Sequence, residues 1–167
     1  MKTFAACALL MLLPYTAVFA GDAKKPGMSL SFDSDDSRTK LAPRHTASDS
    51  RIAITTRDGS TMLLMTNEAV AIQLTDASID KMHASDDGGF LEELLASGVR
   101  FALRKAVEFP LANVKSVEYR DGAIVMTNDQ NKPVFTNVKV NGAEVMRDFS
   151  AADATRFVSA FRAIKRR

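Results

Sequence analysis

Cysteine occurs once in the 167 residues, as Cys7, inside an apolar N-terminal stretch. If that stretch is removed as a leader, the remaining chain has no thiol, which excludes a disulfide, a cysteine-ligated metal and a cysteine nucleophile. Histidine is nearly as scarce. His45 and His83 are the only two, they are far apart, and neither belongs to a His-Glu-x-x-His pair, so the chain has no zinc-ligand spacing. No asparagine stands in an Asn-x-Ser/Thr acceptor, which is compatible with a bacterial periplasm. Neither sign of charge dominates: 22 Lys and Arg oppose 20 Asp and Glu, for a formal net charge of +2. No global field therefore draws the protein to nucleic acid or to an anionic membrane. The sequence implies no cofactor.

Long hydrophobic runs are also missing. Phe4 to Leu13 is apolar over about ten residues, short of the roughly 20 that span a bilayer, and Pro14 breaks the run at its end. With Lys2 before it and the small-x-small triplet Val18-Phe19-Ala20 after it, this stretch predicts a secretory signal peptide over residues 1–20, cleaved before Gly21. The expected address is periplasmic or secreted. Acylation at Cys7 would need an apolar region upstream, and only Phe4-Ala5-Ala6 is there.

Residues 21–50 are rich in Ser, Asp, Lys and Pro and read as a mostly flexible segment, apart from the alternating patch Met28-Ser29-Leu30-Ser31-Phe32. From Arg51 to Arg167 the pattern predicts a single α+β domain stabilised by an apolar core, since no disulfide is available. Ile52 and Ile54, the run Thr61 to Thr66, and Val70, Ile72 and Leu74 predict a three-stranded antiparallel meander with a turn at Asp58-Gly59. Thr75 or Asp76 caps a short helix through about Ala84. A middle helix is expected from Phe90 to Val107, ended by Pro110. Four strands come next, at Val114–Tyr119, Ala123–Thr127, Val134–Val140 and Ala143–Met146. Asp121-Gly122 and Asn141-Gly142 supply hairpin turns. Ser150 is the expected N-cap of a C-terminal amphipathic helix whose buried face is Ala154, Phe157, Val158, Phe161 and Ile164.

Arg57-Asp58-Gly59 leading to Met65-Thr66-Asn67, and Arg120-Asp121-Gly122 leading to Met126-Thr127-Asn128, suggest a faint internal repeat. About seven short strands and a final amphipathic helix describe an antiparallel sheet or partly open barrel. In FPLANVKSVEYRDGAIVMTN and FSAADATRFVSAFRAI this order resembles the pleckstrin-homology-like fold, over residues 51–165. The resemblance implies a fold and no ligand, because the first strand loop, Arg57-Asp58-Gly59-Ser60, lacks the alternating basic cluster of phosphoinositide-binding members.

Chemistry is sparse. His83 has Asp80, Asp86 and Asp87 nearby in sequence, so a carboxylate-oriented imidazole base built from His83 with Asp80 or Asp87 is the enzymatic reading, that of a hydrolase. No Gly-x-Ser-x-Gly turn accompanies it. His45 reads as a solvated linker residue. Asp76, Ser78, Asp80 and Asp87 fall on calcium-loop positions, but Lys81 replaces the required turn glycine, and the Asp33, Asp35 and Asp36 group fails similarly. No metal site is expected. Arg162, Lys165, Arg166 and Arg167 close the last helix, where they complement its negative C-terminal end or form a basic face for an anionic envelope surface. Arg100, Arg104 and Lys105 extend that face if the helices share a side. The leading expectation is a non-catalytic binding or scaffolding domain of the envelope, whose partner is another envelope protein or a ligand. The hydrolase and a peripheral membrane-surface module are the alternatives.

Overall fold

The computed structural model describes residues 30–31, 36–84, 105–140 and 142–166. Its architecture is α+β, with antiparallel sheets, two α-helices among the described residues and no closed barrel. Strands β3 (Ile52–Thr55), β4 (Thr61–Met65) and β5 (Ala69–Leu74) form the expected meander. Helix α1 (Asp76–Ala84) comes next, its start capped where Ser78 N–H donates to Thr75 Oγ1 at 3.3 Å. Strand β6 (Lys105–Pro110) then pairs with β5, and β2 (Lys40–Pro43) pairs with β6, giving a five-stranded sheet in the order β2-β6-β5-β4-β3.

Two sequence expectations are corrected here. The middle helix does not reach Val107: Lys105–Val107 belong to β6, Pro110 closes a strand, and residues 90–104 lie outside the described residues. The strand forms because Val107 and Phe109 face the main core while Ala106 packs with Leu64 and Ala71 on the other face and Glu108 is bonded to His45. Lys40–Pro43, in the stretch whose polar composition reads as flexible, is an ordered edge strand.

A second sheet is built from β7 (Val114–Arg120), β8 (Ala123–Asn128) and β9 (Pro133–Val134), in that order. Both residues of the β7–β8 turn have positive φ, Asp121 at 53° and Gly122 at 75°, which is the twist-matched geometry that favours this dipeptide. The expected strand Val134–Val140 is split, because Phe135 takes a left-handed backbone (φ 62°) and turns the chain away. Its remainder, β10 (Lys139–Val140), joins β1 (Leu30–Ser31) and β11 (Ala143–Glu144) in a small third sheet. Val145–Arg147 is a 3₁₀ turn rather than strand.

Helix α2 (Ala151–Lys165) is the expected C-terminal helix. Ser150 Oγ accepts from Asp153 N–H at 3.1 Å and donates to the Asp153 carboxylate at 2.7 Å, which satisfies an otherwise orphaned donor of the first turn. Its buried face, Ala154, Phe157, Val158 and Phe161, joins Ile72, Val107 and Phe109 of the large sheet and Val117, Ile124 and Met126 of the second in one core. The helix is fixed at its N-terminal end by Arg57, whose backbone N–H donates to Asp148 O at 2.8 Å and whose guanidinium donates to Phe149 O at 3.1 Å. It packs against both β7 and β3, so its last two turns come to lie beside the start of β7.

Candidate functional site

Arg162, Lys165 and Arg166 stand at i, i+3 and i+4, a spacing that puts them on one side of a helix. The burial of Phe157 and Phe161 fixes which side that is. Opposite them runs Lys115–Glu118 of β7, and between the two elements opens a groove of about 320 Å³ lined by Lys115, Ser116, Val117, Glu118, Phe161, Arg162, Lys165 and Arg166. Val117 and Phe161, otherwise core residues, supply its apolar lining. Lys165 Nζ lies 5.8 Å from the Phe161 ring centroid and 3.5 Å from Ala112 O. Lys115 Nζ donates to Asn131 Oδ1 at 2.6 Å, and the Ser116 and Thr127 hydroxyls are bonded to each other at 2.6 Å. The groove therefore gathers four cations and one carboxylate, Glu118, over an apolar base.

The pairing of the other arginines makes this cluster distinct. Arg38, Arg44, Arg120, Arg147 and Arg156 each face a carboxylate. Arg51 donates to the Asn67 side chain, and Arg57 to backbone carbonyls. Arg162 and Arg166 have no hydrogen-bond or salt-bridge partner among the described side chains. Part of this charge complements the negative end of α2, which is worth about 0.3–1 kcal/mol for an exposed cation at a helix C-terminus. That role does not extend to Lys115, which comes from β7 and meets the three helix cations only in the groove.

A second polar cluster lies on the large sheet. His45 Nε2 is bonded to Glu108 Oε1, with side-chain exposures of 25% and 8%, and Lys40 Nζ is 3.8 Å from Glu108 Oε2. Gln73, buried beside them, accepts from His45 N–H at 2.9 Å and donates to His45 O at 2.8 Å. Arg44 Nη1 is 2.6 Å from Asp76 Oδ1, and Nη2 donates to Leu74 O at 2.7 Å. His45 is thus not the solvated linker residue that its neighbours in sequence suggest. The missed signal was Glu108: a lone carboxylate within the apolar run Ala106 to Leu111 needs a partner.

A third network joins the chain before β2 to the β8–β9 turn. Arg38 Nη2 is 2.7 Å from Asp36 Oδ2, Nη1 is 2.7 Å from Asp129 Oδ1, and the guanidinium carbon lies 5.2 Å from the Phe109 ring centroid. Hydrogen bonding from Arg38 is the main cause that holds the Asp36 carboxyl far below the usual carboxylate range, and it also lowers Asp129. Asp36 raises the Arg38 guanidinium in return.

Of the sequence-derived candidates, Arg162, Lys165 and Arg166 are brought together with Lys115, while Arg167 is outside the described residues. Asp80 is exposed on α1; the His83 side chain, Asp86 and Asp87 lie outside the described part, as do Arg100 and Arg104. Lys105 begins β6 and does not line the groove. Asp76 is paired with Arg44, and Asp33 and Asp35 are outside the described residues. Among the described residues no three His, Cys, Asp or Glu side chains converge as a metal site, and no helix is long and apolar enough to cross a membrane. Comparison with known proteins finds no matching family model, no matching curated protein and no matching solved structure.

Proposed function

We propose that this chain is an exported, non-catalytic binding domain that holds an anionic ligand in the groove between β7 and α2. The observation that carries the reading is the convergence of Arg162, Lys165, Arg166 and Lys115 around one cavity, with no carboxylate recorded in a salt bridge to any of them among the described residues. Charge-assisted hydrogen bonds from guanidinium and ammonium groups are about twice as strong as neutral ones, and the four exposed cations stand at the rim of the groove, open to an incoming anion. The groove volume is at the lower end of small-ligand sites, which suits one compact ligand rather than a polymer. Two antiparallel sheets around one core, with a C-terminal helix against them, support a pleckstrin-homology-like reading of residues 51–165. Export to the periplasm or beyond rests on the leader-like residues 1–20.

The test is ligand-linked stabilisation. A ligand that binds only the folded state raises its stability by about 2.7 kcal/mol at a hundredfold excess over Kd. Inorganic phosphate added at constant ionic strength raises the melting temperature of the parent protein, and Arg162→Gln combined with Lys165→Gln and Arg166→Gln removes that rise. An equal rise in the variant contradicts the proposal.

A further inference from the structure

We infer that the groove recognises a phosphate monoester whose substituent carries a hydrogen-bond donor, a hydroxyl or an ammonium group. The inference rests on the groove being the binding site and concerns the chemistry of what enters it. Two observations select the ligand class. First, Arg162, Lys165 and Arg166 line the same space with no salt-bridge partner among the described residues, and Lys115 stands across from them. One carboxylate brings a single charge and two oxygens, whereas a phosphate monoester brings between one and a half and two charges and three acceptor oxygens. The phosphate therefore uses the whole set of donors, and the planar guanidinium groups can grip its oxygens in pairs.

Second, the lining includes Glu118, exposed on β7 with no salt bridge recorded among the described residues. A carboxylate beside a cationic site repels an anion unless that anion turns a donor toward it; inorganic phosphate has only its own P–OH for this, whereas an ester can add a donor on a carbon arm. It becomes favourable when the bound anion carries a group that donates to it, because the carboxylate can then accept an N–H or O–H bond. Three cations on the α2 wall, with Lys115 and the acceptor Glu118 on the β7 wall, match an ester with a phosphate at one end and a donor at the other. Val117 and Phe161 at the base fit the short carbon segment between them. Such an ester is either a free metabolite or the headgroup of a lipid.

The experiment measures calorimetric affinities of the protein for inorganic phosphate, glycerol phosphate, phosphoethanolamine and acetate at fixed ionic strength. The esters are expected to bind more tightly than phosphate, and acetate the most weakly. Glu118→Gln should reduce the ester-to-phosphate ratio towards one while leaving phosphate binding equal or tighter. Arg162→Gln with Arg166→Gln should weaken every phosphate ligand by about tenfold or more, the loss of at least one charge-assisted contact. Arg162→Lys with Arg166→Lys keeps the charge, so it should recover part of the loss and exclude misfolding as its cause. An unchanged ratio in Glu118→Gln, or acetate binding as tightly as the esters, overturns the inference and leaves the groove as a site for another anion. Unchanged affinity in the arginine variant overturns both. Sedimentation with phosphatidylcholine vesicles, with and without lysophosphatidic acid, a phosphate monoester that keeps a free hydroxyl, separates the sources: binding to the acidic vesicles supports a headgroup, binding to the soluble esters alone supports a metabolite, and binding to neither overturns the inference.

Discussion

Removing the imidazole of His45 should destabilise the fold by about 2 kcal/mol, although composition places this residue in a linker. The reasoning starts from Glu108, which sits on the central strand β6 with only 8% of its side chain exposed. A carboxylate so buried needs compensation, and the nearest groups are His45 Nε2 and, at 3.8 Å, Lys40 Nζ. A hydrogen bond to a charged group contributes about 1.5–3 kcal/mol, and breaking a fully buried pair costs about 3–5 kcal/mol. His45 is a quarter exposed, so water can replace part of its role and the lower range applies. Gln73 bonds only the backbone of His45, so those two contacts survive His45→Ala and the perturbation isolates the imidazole. Urea unfolding of the parent, His45→Ala, Glu108→Gln and the double variant gives the coupling directly. We expect about 1–2 kcal/mol between the two side chains. A coupling below about 0.3 kcal/mol would refute the reasoning, because His45 and Glu108 would then act independently.

Phe157→Ala, at a fully buried position on α2, should cost about 3–5 kcal/mol in the same assay, and a loss under about 1 kcal/mol would place that face of the helix in solvent. Asp36 has a depressed carboxyl pKa in the folded state, so its contribution to stability is complete above the ordinary value of about 4 and is lost as pH falls from there. Asp36→Asn should therefore lower stability at pH 7 and flatten the pH dependence below about pH 4; an unchanged acid limb would show that the Arg38 network contributes nothing. Intact mass of the protein recovered from the envelope fraction should correspond to a chain beginning at Gly21, and recovery of the full 18.2 kDa chain from the cytoplasm would contradict export.

The elements readable from sequence were those marked by alternating side-chain character, a specific turn or a cap. The meander β3-β4-β5, the Asp121-Gly122 hairpin and the Ser150-capped helix are all legible from period, turn chemistry and capping. β6 was not readable, because Lys105–Pro110 continues an apolar run with no Gly or Pro between Gly98 and Pro110 to mark where a strand begins. β2 was hidden for the opposite reason: only four residues long, it is held by its ladder to β6 and by the Lys40, Arg44 and His45 side chains, and these look like any polar linker. For the site, helical spacing alone groups Arg162, Lys165 and Arg166. Lys115 and Glu118 join them only through the packing of α2 on β7, a contact between residues over forty positions apart that no local pattern encodes.

The groove as binding site is tested most directly by mapping amide chemical shifts while glycerol phosphate is added at constant ionic strength. The account predicts saturable shifts for residues 115–118 and 161–166, which disappear in Arg162→Gln with Arg166→Gln. Shifts centred instead on Lys40, His45 and Glu108, or no saturable shift anywhere, would contradict it.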